Sequence, residues 1–272
     1  SPWPSPPPEP DTIRAMPLHP VNTPATRTVL ITGSSRGIGA ATAVLCASQG
    51  WAVAVNYARD AAAAQAVVQR IQHSDGTAQA FQADVADEAQ VVALFEAVDT
   101  ALPPLGALVN NAGVVDFTSR VDGTTQARLQ RLFATNVFGS FLCAREAVKR
   151  LSTRYGGPGG AIVNLSSGAA KLGSPHQYVD YAATKGAIDT FTIGLGKEVA
   201  GEGIRVNGVR AGLIDTEIHA SGGKPNRVAE LLPEVPLQRA GSAEEVAQAI
   251  AWLLSNAASY MTGSLVDVTG GR

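Results

Sequence analysis

From Thr28 onward, short β-branched and apolar runs alternate with longer alanine-rich stretches. The runs TVLIT (28–32), WAVAVN (51–56), AQAFQA (78–83), GALVNNAG (106–113), AIVNLSS (161–167), IRVNGV (204–209) and SLVDVT (264–269) read as strands. Several are almost continuously apolar, as parallel strands covered on both faces should be. Between them, IGAATAVLCASQ (38–49), AAAAQAVVQRIQ (61–72), EAQVVALFEAVDT (88–100) and AEEVAQAIAWLLS (243–255) read as helices. Strand and helix alternating in this way predict an α/β fold: one doubly wound parallel sheet of about seven strands, with helices on both faces. One domain over residues 27–272 accommodates the whole pattern.

Two segments break the alternation. Residues 1–26 are crowded with prolines and carry neither a helical nor an alternating pattern, so an extended, loosely held leader is expected. Residues 216–236, TEIHASGGKPNRVAELLPEVP, interrupt the series after the sixth strand. Their Ser-Gly-Gly-Lys-Pro section predicts a movable flap followed by a short helix, a lid able to exclude water.

Composition narrows the class. The formal charge of −2 gives no electrostatic reason to expect nucleic acid or an anionic membrane as partner, and no apolar run reaches the length of a membrane span. Cys46 and Cys143 sit in apolar, helix-like stretches without metal-ligand spacing. They read as small buried hydrophobes in a reducing compartment, which points to the cytoplasm, and no metal site is expected.

The first candidate chemistry lies in VLITGSSRGIGAATAVL, where Gly33, Gly37 and Gly39 separate the first strand from the first helix. Glycines let this turn approach a ligand closely, and the helix behind it aims its positive end at the same spot. Gly33, Ser35, Arg36, Gly37, Ile38 and Gly39 are therefore the expected cradle of a dinucleotide pyrophosphate. At the tip of the second strand, VAVNYARD puts Asn56 and Tyr57 where an acid would select a free ribose hydroxyl. Arg36 and Arg59 supply positive charge suited to a 2′-phosphate. NADP(H) is preferred on that ground, with NAD(H) as the alternative.

The second candidate is DYAATKG, residues 180–186, in which Tyr181 and Lys185 stand one helical turn apart on one face. Hydride transfer to a carbonyl leaves an alkoxide that must gain a proton. Lowering a tyrosine pKa from about 10 to neutrality takes about 4 kcal/mol. One cation at about 4 Å, with an effective dielectric of about 20, supplies that amount. Lys185 is the expected source.

With NNAG at 110–113 and YAATK at 181–185, the glycine turn resembles the short-chain dehydrogenase/reductase family, classical type. The likeness covers nearly all of residues 28–272 and implies a single NAD(P)-binding Rossmann domain. SPHQYVDYAATKGAIDT and LIDTEIHASGGKPNRV add a likeness to glucose or ribitol dehydrogenase-like and 3-oxoacyl-carrier-protein reductase-like members. The resemblance implies that Asp84 and Val85 flank the adenine, that Asn111, Ala112 and Gly113 lie along the cofactor, and that Ile214 and Thr216 contact the nicotinamide carboxamide. It implies Ser167, rather than Ser166, as the hydroxyl holding the substrate oxygen, Tyr181 as proton donor and acceptor, Lys185 on the nicotinamide ribose, and Asn136 as anchor of a water relay. Where the family usually has Pro-Gly, this chain has Ala211-Gly212, with cofactor binding at Gly212 expected to persist. His176 and His219 read as loop and lid residues. The resemblance further implies a homotetramer and a small alcohol or carbonyl substrate: a ketone or aldehyde, a sugar or polyol, or a 3-oxoacyl compound. A dinucleotide-binding sensor without turnover is the competing class.

Overall fold

The computed structural model describes residues 27–216 and 226–272; the proline-rich leader and the expected flap, His219 included, lie outside the described residues. Seven strands form one parallel sheet in the order β3-β2-β1-β4-β5-β6-β7. They are β1 (Thr28–Ile31), β2 (Ala52–Tyr57), β3 (Ala78–Gln82), β4 (Leu105–Asn110), β5 (Gly160–Ser167), β6 (Ile204–Ala211) and β7 (Leu265–Val268). The chain winds outward from β1 to β3, then returns to place β4 on the other side of β1. That reversal opens a crevice at the carboxyl ends of β1 and β4, where sheets of this kind take ligands.

The apolar runs are explained by burial on both faces. Val29 and Ile31 join one core with helices α1 (Gly37–Ser48), α2 (Ala61–Gln72) and α9 (Ala243–Leu254). Leu30, between them, joins the opposite core with α3 (Glu88–Ala101), α5 (Gly139–Leu151) and the buried rows of β4 to β6. Cys46 belongs to the first core and Cys143 to the second, so the sheet lies between the two thiols. Burial pushes both up to about 12, which leaves them protonated and inert.

Two elements depart from the sequence pattern. β6 continues past Val209 through Arg210 and Ala211, pairing with Ser166 and Ser167 of β5. A charged residue is tolerated there because Arg210 is ion-paired to Asp189 at 2.8 Å and to Asp267 at 3.3 Å. Alanine in place of the family's proline keeps the backbone N–H that a ladder requires. The second departure follows α4 (Gln126–Phe133), where Ala134–Phe138 forms one turn of π-helix before α5 begins. Asn136 lies within it. A single turn, α6 (Ala169–Leu172), follows β5. The short helix expected in the lid is α8 (Arg227–Leu231), whose Leu231 packs with Leu213 and Val235 in a small separate core. Among the described residues, no helix is long and apolar enough to cross a membrane.

Candidate active site

The glycine turn is shaped by what presses against it. Gly33 has φ +61°, and a side chain there would begin 2.9 Å from the Ala112 backbone. A side chain on Gly39 would begin 2.5 Å from Asn111 Nδ2 and 2.7 Å from the Gly33 carbonyl. Asn111 Nδ2 donates to the carbonyls of Thr32 (2.8 Å) and Gly33 (2.9 Å). The Thr32 hydroxyl accepts from the backbone N–H groups of Asn111 and Ala112, each at 3.0 Å. The crevice floor is thereby stitched across β1 and β4, each bond adding about 1 kcal/mol.

α1 begins at Gly37 with no capping side chain and no acid in its first turn. Its leading N–H groups are those that a helix leaves without an intrahelical partner. The nearest side chain to a Cβ built on Gly37 (φ +54°) is that of Thr216, at 3.7 Å. Ser35 is half-buried and Arg36 exposed at the same turn. An uncapped helix start facing a glycine cradle fits a dinucleotide pyrophosphate.

At the tip of β2 the expected residues divide. Asn56 is buried: its Oδ1 accepts from the Gly33 N–H (3.1 Å), and its Nδ2 donates to the carbonyls of Phe81 (3.3 Å) and Ala83 (3.1 Å). It braces the turn from below. Tyr57 is half-buried and Arg59 exposed. Asp60 caps α2 by accepting from the Ala63 N–H at 2.9 Å. Asp84 orders the loop after β3, its Oδ1 accepting from the Ala86 N–H at 3.0 Å. Val85 is buried against Gly139. Gly212 is pressed on Thr269, and buried Ile214 bridges to Gly241, which fixes the path from β6 to Thr216.

Tyr181 and Lys185 share a face of α7 (Val179–Glu198). The start of this helix is pinned by Asp180, which accepts from the Tyr181 N–H and from the Arg128 guanidinium of α4. Ser167, at the end of β5, hydrogen-bonds the Tyr181 phenol, whereas Ser166 turns away toward Asp189. Lys185 Nζ donates to the Leu165 carbonyl at 2.8 Å and lies 5.6 Å from the Tyr181 ring centroid. A side chain on Gly113 would begin 3.5 Å from both Lys185 Nζ and Asn136 Oδ1, so these two groups flank one glycine. Asn136 itself clamps Val114, accepting from its N–H at 2.7 Å and donating to its carbonyl at 2.9 Å, and it also donates to the Thr184 hydroxyl.

Electrostatics correct one expectation. Lys185 stands beside the ring rather than at the hydroxyl, and burial dominates both groups. Burial holds the Tyr181 phenol above its ordinary value, opposed by the Ser167 hydrogen bond and the charge of Arg227. Burial draws the Lys185 ammonium down to about 8, opposed by Asp189. In this arrangement the phenol is protonated at neutral pH.

Residues 33–272 match the family model described as Enoyl-(Acyl carrier protein) reductase. The chain is 58% identical to the uncharacterized oxidoreductase YgfF of Escherichia coli K12, over 89% of this chain and 98% of that one. It is 37% identical to 3beta-hydroxysteroid dehydrogenase 1 of Eggerthella lenta, over 90% and 93%. A solved structure of a Serratia marcescens short-chain dehydrogenase/reductase, a double phenylalanine-to-leucine mutant, superimposes with TM-score 0.82 at 31% identity, covering 90% of this chain and 97% of that one. The chain belongs to the short-chain dehydrogenase/reductase family.

As a short-chain dehydrogenase/reductase it is an oxidoreductase of the alcohol–carbonyl class, in a family that typically binds NAD(P)(H). Several residues shape its site without having been singled out in the sequence. Thr32 ends the first apolar run and carries no motif of its own. Arg227 of α8 stacks its guanidinium 4.8 Å from the Tyr178 ring centroid, hydrogen-bonds Gln177, and adds positive charge near Tyr181. It lies within the segment read as a lid, where only the fold shows which way it faces. His176 is exposed, with φ +63° in the loop leading to Tyr178. Among the described residues, no cluster of His, Cys, Asp and Glu is arranged to hold a metal ion.

Proposed function

We propose that this enzyme uses NADP(H) to interconvert a carbonyl compound and its alcohol, with Tyr181 as acid and base. The observation that carries this reading is the Ser167–Tyr181 hydrogen bond at the carboxyl edge of the sheet, beside buried Lys185. The hydride is what the dinucleotide supplies when bound. The Ser167 hydroxyl holds the substrate oxygen, and Tyr181 transfers its phenolic proton to that oxygen as the C=O becomes CH–OH. Lys185, on the same helix face, stabilises the phenolate left behind. Asn136, fixed in its π-turn to Val114, holds the wall opposite Lys185 and provides the anchor for proton return.

The adenosine end is assigned to Gly33, Ser35, Arg36, Gly37, Ile38, Gly39, Tyr57, Arg59, Asp84 and Val85, with Asn56 and Asn111 acting as braces beneath. Arg36 and Arg59 are exposed at the two turns that flank this end, and Asp60, the acid next to Arg59, is engaged by the α2 N-terminus. A guanidinium–phosphate contact contributes about 1.5–3 kcal/mol. Arg36→Ala is therefore expected to cut the NADP(H) over NAD(H) preference by about 10- to 100-fold in kcat/KM. An unchanged ratio would contradict the assignment.

The same reading carries assembly as a homotetramer through α5 and α7, where Phe141, Val179 and Ile193 are exposed, with Phe138 just before α5. Two buried, protonated thiols suit a reducing cytoplasm. The function is tested by following oxidation of NADPH with a panel of ketones, sugar aldehydes, steroid ketones and 3-oxoacyl thioesters. At least one class should give stoichiometric alcohol. Saturable NADPH binding with no turnover across the panel would instead identify a dinucleotide-binding protein.

A further inference from the structure

Tyr181, Lys185 and Asp189 follow one another at intervals of one helical turn along α7. The third member is buried and fully engaged. Asp189 Oδ1 accepts from the Ser166 hydroxyl at 2.6 Å, and its Oδ2 accepts from Arg210 Nε at 2.8 Å. Arg210 extends the chain to Asp267, which Lys171 also meets, at 2.9 Å. The same Ser166 hydroxyl lies 3.2 Å from the Lys185 carbonyl. Ser166 stands between Leu165, whose carbonyl holds Lys185 Nζ, and Ser167, whose hydroxyl meets Tyr181. Asp189 thus grips the strand residue between the two that touch the reacting pair.

Resting on the oxidoreductase reading above, we propose that Asp189, held by Arg210 and Ser166, is a positioning residue for Lys185: its carboxylate keeps the ammonium charged, and its bond to Ser166 fixes the strand that aims it. Among the described residues, the polar surroundings of Lys185 leave few other candidates for this task. α7 presents Tyr181 and Asp189, and β5 presents the Leu165 carbonyl. The turn after β4 presents Gly113, with neutral Asn136 beyond it. From β6, Arg210 acts through Asp189. Burial alone would discharge the lysine further, and Asp189 is the group that opposes it. With a midpoint of about 8, a modest loss of that opposition brings the lysine to neutral form in the working range.

The test reads the charge of Lys185 directly, in full-length protein labelled with 13Cε-lysine, the resonance being assigned by its loss in Lys185→Arg. Asp189→Asn should lower the Lys185 midpoint by about one pH unit, tenfold in the neutral-to-charged ratio. The alkaline limb of kcat/KM, measured on whichever carbonyl compound turns over, should fall by the same amount. Asp189→Glu should restore both. Arg210→Gln frees the Asp189 charge from its counter-ion, so the midpoint should move up, the opposite way. This variant keeps the Asp189–Ser166 bond and carries the test if Asp189→Asn does not fold. A midpoint unmoved by Asp189→Asn, or moved in the same direction by both variants, would overturn the proposal even in an active enzyme. Opposite shifts in a protein that turns over no carbonyl would support the charge coupling and refute the catalytic reading.

Discussion

Tyr181→Phe is expected to lower kcat about 10³-fold while leaving NADPH affinity close to that of the unchanged protein. The substitution removes one hydroxyl and keeps the ring, so the packing beside Lys185 persists. What disappears is the hydroxyl that Ser167 contacts, the group to which the proposed mechanism assigns proton delivery. General acid–base catalysis contributes about 10²–10⁴ in rate, which sets the size of the loss. The glycine cradle and the uncapped start of α1 lie on other elements and should hold the dinucleotide as before. Fluorescence titration with NADPH and a steady-state assay separate the two effects. A variant that keeps more than about a tenth of the rate would show that the proton comes from elsewhere.

The second large effect joins activity to stability. Lys185→Met should abolish most turnover, by about 10²-fold or more, and yet raise the melting temperature at neutral pH. The Lys185 pKa is about 8 in the folded chain, against an ordinary value of 10.5. The unfolded chain therefore binds more protons between those two values, and the contribution of Lys185 to stability rises with pH across that window. At pH 7 and below, the buried cation carries its full cost, on the order of 3 kcal/mol from the depression of its pKa. Methionine removes that cost but leaves the Leu165 carbonyl without its donor, worth about 1 kcal/mol. The net gain is about 2 kcal/mol, measured by denaturant unfolding at pH 7 and again near pH 10, where it should shrink. A destabilised Met variant at pH 7 would contradict this account of Lys185.

Much of the fold was legible because parallel strands buried on both faces leave continuous apolar runs. Leu30 faces one core while Val29 and Ile31 face the other, and a chain of such runs has few alternatives. The shared helix face of Tyr181 and Lys185 was legible for a similar reason, because their spacing alone fixes it. The asparagines were harder to read. An amide serves equally well as a ligand contact and as a brace, and Asn56 and Asn111 both direct their amides into backbone of neighbouring strands. The π-turn at Asn136 carries no residue pattern of its own, so nothing in the sequence marked it. Asp189 continued the spacing of the pair in plain view. Its meaning depended on Ser166 and Arg210, which only the pairing of β5 with β6 brings to it.

The position of Tyr181 relative to the lysine was the point on which sequence reasoning needed correction. A cation one turn away was expected to draw the phenol down. Instead Lys185 Nζ bonds the β5 backbone, and burial raises the phenol.

The most direct measurement is a crystal structure with the dinucleotide and an unreactive analogue of a carbonyl compound that turns over. The account predicts the analogue's oxygen within about 3.2 Å of both Tyr181 Oη and Ser167 Oγ, above the nicotinamide. An analogue bound productively over the nicotinamide, with its oxygen beyond reach of Tyr181, would contradict it.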